Sequence, residues 1–409
     1  MQKQMGAVLL VLFVAALYSC EKLLPATPES NEVLAEPIGE LSASQLSLHI
    51  QGDGEFARVF GTLEGLGPVF VQNSCESCHV GDGKGSPVNN LTRFGRYGDN
   101  GEWDPMLDWG GPQLQHRSIL NFDPEKLPSA AASSQFVAPN VTGLGYLNAV
   151  TDETILSMAD PLDLDGDGIS GTINYIEAPE WLQPDPRYHT PLVDGKYIGR
   201  FGRKSGAIDL LMQTVGAYKQ DMGITSDFDL VDPVNYGATG LADDGVADPE
   251  ISGGTVNKVV FYLQTLKAPG RRNEADADVK QGSAIFSQVG CAKCHTPELT
   301  TGPSEIAAIN EVTFYPYSDM LMHDMGAALN DGYTEGTALT SEWRTIPLWG
   351  LGLQNDSQGG KMYLMHDGRA QDYEEAIQWH GGEAAASKTA FFQLSETDQD
   401  RVIKFLDSL

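Results

Sequence analysis

Apolar residues return at helical spacing in Val256, Val259, Val260, Leu263 and Leu266, in Val279, Ile285 and Phe286, and in Val402, Ile403, Phe405, Leu406 and Leu409. That spacing gathers the apolar side chains into one buried stripe, so each stretch predicts an amphipathic helix. The first stops at Pro269-Gly270, and the last opens on Ser395-Glu-Thr-Asp398, a capping-box-like start. Far upstream, Phe56-Ala-Arg-Val59-Phe60 is a shorter piece of the same kind as residues 279–286. A second echo joins Pro139-Asn-Val-Thr-Gly143-Leu-Gly145 to Pro347-Leu-Trp-Gly350-Leu-Gly352. After each comes an acidic helix start, Thr151-Asp-Glu-Thr-Ile155 and Asp372-Tyr-Glu-Glu-Ala-Ile377. The pattern is that of two pseudo-twofold halves, mostly α-helical, joined by Pro269-Gly-Arg-Arg-Asn-Glu-Ala275.

One apolar run has no such period. Residues 5–17 follow a single charge, Lys3, and are too short to span a bilayer but as long as the core of an export signal. The run ends in Leu17-Tyr18-Ser19-Cys20, which resembles the bacterial lipobox, with Cys20 lipidated as the first mature residue. An ordinary secretory cleavage site or an uncleaved anchor is the alternative, and every one of these readings puts the rest of the chain outside the cytoplasm. Residues 20–40, with Pro25, Pro28 and Pro37, read as a tether. No later stretch is apolar enough to cross a membrane, so a lipid would be the sole anchor, in the periplasm or at the outer membrane.

The formal net charge is −30 and the sequence pI about 4.4, which argues against nucleic acid or anionic lipid as partners. Such a surface suits a basic electron-donor protein, and it also serves solubility alone.

The chemistry lies in Cys75-Glu-Ser-Cys78-His79 and Cys291-Ala-Lys-Cys294-His295. Cys-x-x-Cys-His lets two thiols form thioethers to one haem while the adjacent imidazole takes its iron. A zinc half-site or a redox dithiol would not need a histidine after the second cysteine on both occasions. The two copies use four of the five cysteines, and the fifth is Cys20. No free dithiol remains, so thiol–disulfide exchange by the polypeptide is excluded. Two covalent c-type haems are therefore expected, with His79 and His295 as proximal ligands.

Several longer motifs carry a resemblance. Asp163-Leu-Asp-Gly-Asp-Gly-Ile-Ser-Gly171, Gly199-Arg-Phe-Gly202, Asp221-Met-Gly-Ile-Thr-Ser226, Tyr315-Pro-Tyr-Ser-Asp-Met-Leu-Met-His323-Asp-Met-Gly326, Glu342-Trp-Arg-Thr-Ile-Pro-Leu-Trp-Gly350, His366-Asp-Gly-Arg and Trp379-His-Gly-Gly-Glu383 resemble the bacterial di-haem oxidoreductase family. Its members carry the labels thiol oxidoreductase or peroxidase, and it is distantly related to the di-haem cytochrome c peroxidases. The resemblance covers roughly residues 50–409. It implies two tandem cytochrome c-like domains with long loops, the first, at 41–268, enlarged by insertions, and the second at 276–409 after the linker 269–275.

Two departures stand out. Arg203 follows Phe-Gly where the family has an aromatic residue, and Gly350 stands where the peroxidases carry an arginine. In those peroxidases a methionine fourteen residues after a motif histidine ligates the second haem. Here the residue fourteen after His366 is His380, on the same predicted helical face as Tyr373 and Ile377, so the resemblance implies His380 as sixth ligand of the second haem. For the first haem Met158, His116 and His189 are the candidates, and otherwise the iron is open and forms the substrate site. Glu153 or Gln115 would then supply acid–base help in O–O cleavage. Arg344, with His323 in a family motif, is expected to pair with a haem propionate, against the plainer reading of a surface ion pair. Asp163, Asp165 and Asp167, with the Ile169 carbonyl and Asn174, read as a weak calcium cage or a solvated acidic turn.

The expected protein is a di-haem c-type oxidoreductase, peroxidase-like. Electrons from a donor protein or small redox donor enter at the C-terminal haem, and a small oxidant such as hydrogen peroxide is reduced at the N-terminal one. The rivals are a non-catalytic electron carrier serving metal uptake or respiration, and an oxidase of a protein or metal. The peroxidase relatives are often homodimers.

Overall fold

The computed structural model describes residues 33–237 and 243–409, so the expected leader, Cys20 and most of the tether lie outside the described residues. The elements that position the site are α1 (Ala43–Phe56), α2 (Leu144–Asn148), α3 (Asp152–Met158), α4 (Leu210–Met222), α5 (Gly253–Thr265), α6 (Ala277–Gln288), α7 (Tyr373–Trp379) and α8 (Glu396–Ser408). Helix, short 3-10 turns included, accounts for 34% of the described residues, so loops and short antiparallel pairings make up most of a protein expected to be mostly α. No helix among the described residues is long and apolar enough to cross a membrane.

Two helix crossings of the same construction frame the molecule. In the first, α1 packs on α5, and a Cβ at Gly52 would be driven into the Lys258 carbonyl and the Tyr262 side chain. In the second, α6 packs on α8, and a Cβ at Gly282 would be driven into the Arg401 carbonyl and Phe405. A glycine lets two backbones approach where any side chain would hold them apart. Gly282→Ala is therefore expected to cost about 1–3 kcal/mol through overpacking. Gly216→Ala, in the open interior of α4, should be neutral or stabilising by about 0.5–1 kcal/mol. Urea midpoints check this: that of Gly282→Ala should fall, and that of Gly216→Ala should hold or rise.

The Gly-Leu-Gly echo is structural as well. Gly143 and Gly350 both take φ +69° and start a helical turn. Gly145 then packs against the Gln264 carbonyl at the end of α5, and Gly352 against the Asp407 carbonyl at the end of α8. The lead-in pieces differ more than their sequences suggest. Residues 279–286 lie inside α6, whereas α1 ends at Phe56 and the chain to Phe60 is loop, with the Phe60 amide on the Asn73 carbonyl at 2.8 Å.

The larger core gathers Phe56, Phe60, Leu147, Ile155, Phe201, Tyr218, Val256 and Val259, and it also takes in Leu299, Phe314, Met320, Leu321 and Trp349 from the later part of the chain. The smaller core is built on Val279, Phe286, Tyr317, Leu364, Phe391, Val402 and Phe405. Between helices, β1 (Leu91–Tyr97) pairs antiparallel with β2 (Trp103–Asp104) and β3 (Ala132–Phe136). The hairpin β4 (Met322–Asp324) and β5 (Glu342–Arg344) pairs Met322 with Arg344 and Asp324 with Glu342.

Candidate functional site

Each Cys-x-x-Cys-His folds as one tight turn. The His79 amide donates to the Cys75 carbonyl at 3.0 Å, and the His295 amide to the Cys291 carbonyl at 3.0 Å. Residues three and four apart share a face of such a turn, so both thiols and the imidazole point the same way. Each turn borders a large cavity. The first, with an empty volume of about 1340 Å³ counting its mouth, is walled by Cys75, Cys78, His79, Phe201, Tyr218 and Met222 among others. The second, about 1490 Å³ on the same measure, is walled by Cys291, Cys294, His295, Tyr373, Ile377 and His380 among others.

All four thiols are free of disulfides. Burial pushes Cys75, Cys78 and Cys291 up to about 12, so they are thiols at neutral pH. Thiolate is the form that binds zinc or exchanges disulfides, and these sites suppress it. Burial likewise pushes His79 and His295 down to about 4, keeping both imidazoles neutral and able to donate a nitrogen lone pair to a metal.

Four histidines border the second cavity, and the imidazoles of two of them, His295 and His380, face each other. His295 Nδ1 lies 3.0 Å from the Tyr317 carbonyl and His380 Nδ1 lies 2.8 Å from the Ala376 carbonyl. A carbonyl only accepts, so each Nδ1 carries the proton and each Nε2 keeps its lone pair. The ring centres are 6.5 Å apart. A single metal ion bound at about 2.0 Å to each Nε2 would separate the rings by about 6 Å. His380 owes this position to α7, which starts on Asp372, whose carboxylate accepts from the Glu375 amide at 2.7 Å, and ends with His380 as its cap.

The first cavity is unlike the second. One imidazole, that of His79, borders it, and its buried Nδ1 has no hydrogen-bond partner. The three residues expected opposite it lie elsewhere: His116 is exposed, Met158 packs on the outside of the larger core, and His189 is buried beside Tyr188 away from this wall. One face of α4 also lines this cavity, with Gln213, Thr214, Ala217, Tyr218, Asp221 and Met222. The two acid–base expectations are corrected in the same way. Glu153 is exposed on α3, one residue past Asp152, which forms a buried ion pair with Arg200 at 2.6 Å. Gln115 is buried but does not line the cavity; its Nε2 donates to the Gln220 carbonyl at 3.1 Å, which also accepts from Gln113. The carboxyl in the cavity wall is that of Asp221, pushed by burial up to about 6 against the hydrogen bond it accepts from Gln113 at 2.6 Å. The motif Asp221-Met-Gly was the available signal for it.

Between the cavities stand three cations that border both, Lys84, Arg203 and Arg344, exposed by only 2, 5 and 8%. None forms an ion pair with a carboxylate among the described residues. Lys84 Nζ donates to the Met365 carbonyl at 3.1 Å, Arg203 Nη2 to the Val137 carbonyl at 2.7 Å, and Arg344 Nε to the Gly202 carbonyl at 2.9 Å. Arg344 Nη1 has no partner at all. Buried charges without counter-charges each cost several kcal/mol, so the site is built for anions that arrive with a ligand. Haem propionates are such anions, and the residues present fit two haems. Arg344 was legible from its motif. Lys84 and Arg203 were not, because nothing in a sequence says that two distant cations face the same space.

His323 is locked otherwise. Its ring bridges Asp319 at 2.8 Å and Glu383 at 2.7 Å, with Cys294 Sγ 3.7 Å away. Burial opposes the charge, but the two carboxylates hold His323 protonated far above its ordinary range, so it cannot act as a metal ligand. Glu383 is held down to about 2 despite burial, by His323 and Ser170. A depressed carboxyl contributes stability that is present above its ordinary value of about 4.5 and lost as pH falls toward 2. On lowering the pH from 6 to 2 the protein should lose about 3 kcal/mol more than Glu383→Gln does. Parallel acid-denaturation curves measure the difference.

The calcium cage expected around residue 163 is not assembled as drawn. Asn174 is buried elsewhere, donating to the Lys204 carbonyl at 2.6 Å and accepting from the Thr337 amide at 2.7 Å. Asp167 pairs with Lys293 at 2.9 Å. Asp163 and Asp165 lie instead with Asp160, and their oxygens accept backbone N–H groups of their own turn.

Two cavities fitted with thiols, neutral imidazoles and unpaired cations define the class, a redox protein with two haem centres. The chain belongs to the family described as "Di-haem oxidoreductase, putative peroxidase", whose sequence profile matches residues 25–93 and 133–409. Gln115 and His116 fall in the stretch outside that match. Among solved structures the chain is similar to Kuenenia stuttgartiensis hydrazine synthase, at 15% identity and a TM-score of 0.36, covering 94% of this chain and 99% of that one. It is also similar to a MauG-like protein associated with microbial copper homeostasis, at 14% identity and a TM-score of 0.39, covering 94% of each. No curated protein matches the sequence.

Proposed function

We propose that the protein is an exported, lipid-anchored oxidoreductase of peroxidase type, with one covalent c-type haem in each cavity. Cys75 and Cys78 tether the first with His79 as ligand, and Cys291 and Cys294 the second, with His295 and His380 as ligands. A haem iron with a free position binds and reduces a small oxidant, while one with both positions filled passes single electrons. The observation that carries the reading is the asymmetry of the fittings: two facing imidazoles in one cavity and one in the other. Electrons from a donor protein or small redox donor then enter on the His295 side, and a small oxidant such as hydrogen peroxide is reduced on the His79 side. Lys84, Arg203 and Arg344 hold the propionates between the two. Asp221, a buried carboxyl with a value of about 6, is the group suited to carry a proton at the first cavity.

Met222 in that wall favours a second reading, an electron carrier in which its thioether fills the first iron. Ferric spectra and stopped-flow mixing with peroxide separate the two. A high-spin signal in the resting or half-reduced protein, followed by rapid reaction with peroxide, is expected of the enzyme. Two low-spin centres inert to peroxide would leave only the carrier.

A further inference from the structure

Away from both cavities, on the segment that joins α4 to α5, carboxylates crowd together without a counter-charge. Oxygens of Asp232, Asp244 and Glu250 lie within 4.8 Å of one another. Asp232 is only 8% exposed, and neither of its carboxylate oxygens has a hydrogen-bond partner. Asp244 Oδ2 and Glu250 Oε1 are buried and unpartnered as well. The remaining oxygens of those two residues are engaged: Asp244 Oδ1 accepts from the Val246 amide at 2.8 Å, and Glu250 Oε2 from the Thr225 amide and, at 2.8 Å, its hydroxyl. No lysine, arginine or histidine pairs with any of the three among the described residues.

Four buried carboxylate oxygens without a hydrogen-bond partner, with only the Asp244 amide turned toward Asp232, are the reverse of what a folded protein tolerates, because they forfeit their hydration for little in return. A proton or a cation must supply the missing positive charge. The donor set is oxygen only, which selects a hard cation over zinc, copper or iron. Calcium binds oxygens at about 2.3–2.6 Å in a flexible geometry, so carboxylate oxygens that lie within 4.8 Å of one another can share one ion. Magnesium requires about 2.1 Å and a tighter octahedron.

We propose that Asp232, Asp244 and Glu250 form a calcium site. The neighbouring Asp248 shares the Thr225 hydroxyl with Glu250 and adds to the negative charge. The cation fastens the α4–α5 connection just beyond Met222, and so steadies the helix whose face walls the first cavity. The acidic turn at Asp160, Asp163 and Asp165 is a different case, because its oxygens already accept backbone N–H groups. Consistent with the crowding, burial first and the neighbouring carboxylates second push Asp232 up to about 7, and burial pushes Glu250 to about 7.

The test uses the haem-loaded chain, stripped with chelator, dialysed against calcium chloride and assayed for bound metal per polypeptide. The unsubstituted protein should hold one calcium equivalent that Asp232→Asn and Glu250→Gln each lack and Asp163→Asn retains. Added calcium should raise its thermal midpoint and leave that of Asp232→Asn unmoved. In calcium-free buffer at pH 8, Asp232→Asn should melt above the unsubstituted protein, since it removes an uncompensated charge. Should Asp232→Asn fail to fold, Glu250→Gln carries the same comparison. The proposal is overturned if the chain binds no calcium, if it takes magnesium in preference, or if the equivalent survives Glu250→Gln and disappears with Asp163→Asn.

Discussion

Cys75→Ser combined with Cys78→Ser is expected to yield a protein with one haem per chain instead of two, and with a larger core that has lost on the order of 5 kcal/mol. The first cavity is not a surface cleft. Its wall includes Phe56, Phe201, Tyr218, Met222, Val259 and Trp349, which are the same residues that make the larger core. A group filling that space completes the packing, and its loss leaves a void together with the unpaired Arg203 and Arg344. Haem content per polypeptide and the urea midpoint, measured on the same preparation, give both halves of the answer. Two haems retained in the double variant would refute the covalent assignment at this motif. The matching pair, Cys291→Ser with Cys294→Ser, should empty the second cavity and weaken the core of Phe286, Tyr317 and Phe405.

The second large effect falls on His380. His380→Ala should turn the second centre from low-spin to high-spin while haem content stays at two. His380→Met should restore a low-spin centre with a potential raised on the order of 0.1–0.2 V, inside the range of about 0.8 V that axial ligands span. The reason is geometric. Two neutral imidazoles face each other at 6.5 Å, each fixed in tautomer by a backbone carbonyl, so removing one ring leaves the other side of the metal position without a ligand. Near-infrared magnetic circular dichroism of the oxidised protein reads the ligand pair directly. An unchanged spectrum in His380→Ala would mean that another residue holds that position.

The structure also explains why the two departures from the family pattern are compatible with the site. Arg203 stands where relatives have an aromatic residue, and its guanidinium reaches the space between the cavities, beside Lys84 and Arg344. Gly350 stands where the peroxidases have an arginine, and its φ of +69° is what the turn into Leu351–Leu353 needs. Positive charge is thus supplied from Gly199-Arg-Phe-Gly-Arg203 and Glu342-Trp-Arg344, not from the Gly-Leu-Gly turn. Trp343 borders the second cavity too, stacked on His366 at 3.7 Å with Lys204 over its ring.

Local pattern alone determined a good deal. Cys-x-x-Cys-His brings two thiols and an imidazole to one side because the five residues fold as one turn. The closing helices at Gly253–Thr265 and Glu396–Ser408 follow from apolar spacing and a serine cap, and the position of His380 from counting along one helix. The same local logic failed at Met158, Glu153 and Gln115. The helix start at Thr151 repeats the one at Asp372 in sequence, yet α7 faces a cavity while α3 buries Ile155 in the core and ties Asp152 to Arg200. Which helix walls the first cavity, which cations border both, and which carboxylates are left without partners were decided by tertiary structure. The physical reason is that helical period and turn chemistry act over a few residues. Burial and the pairing of charges depend on segments more than a hundred residues apart, such as Lys84 with Arg203 and Arg344.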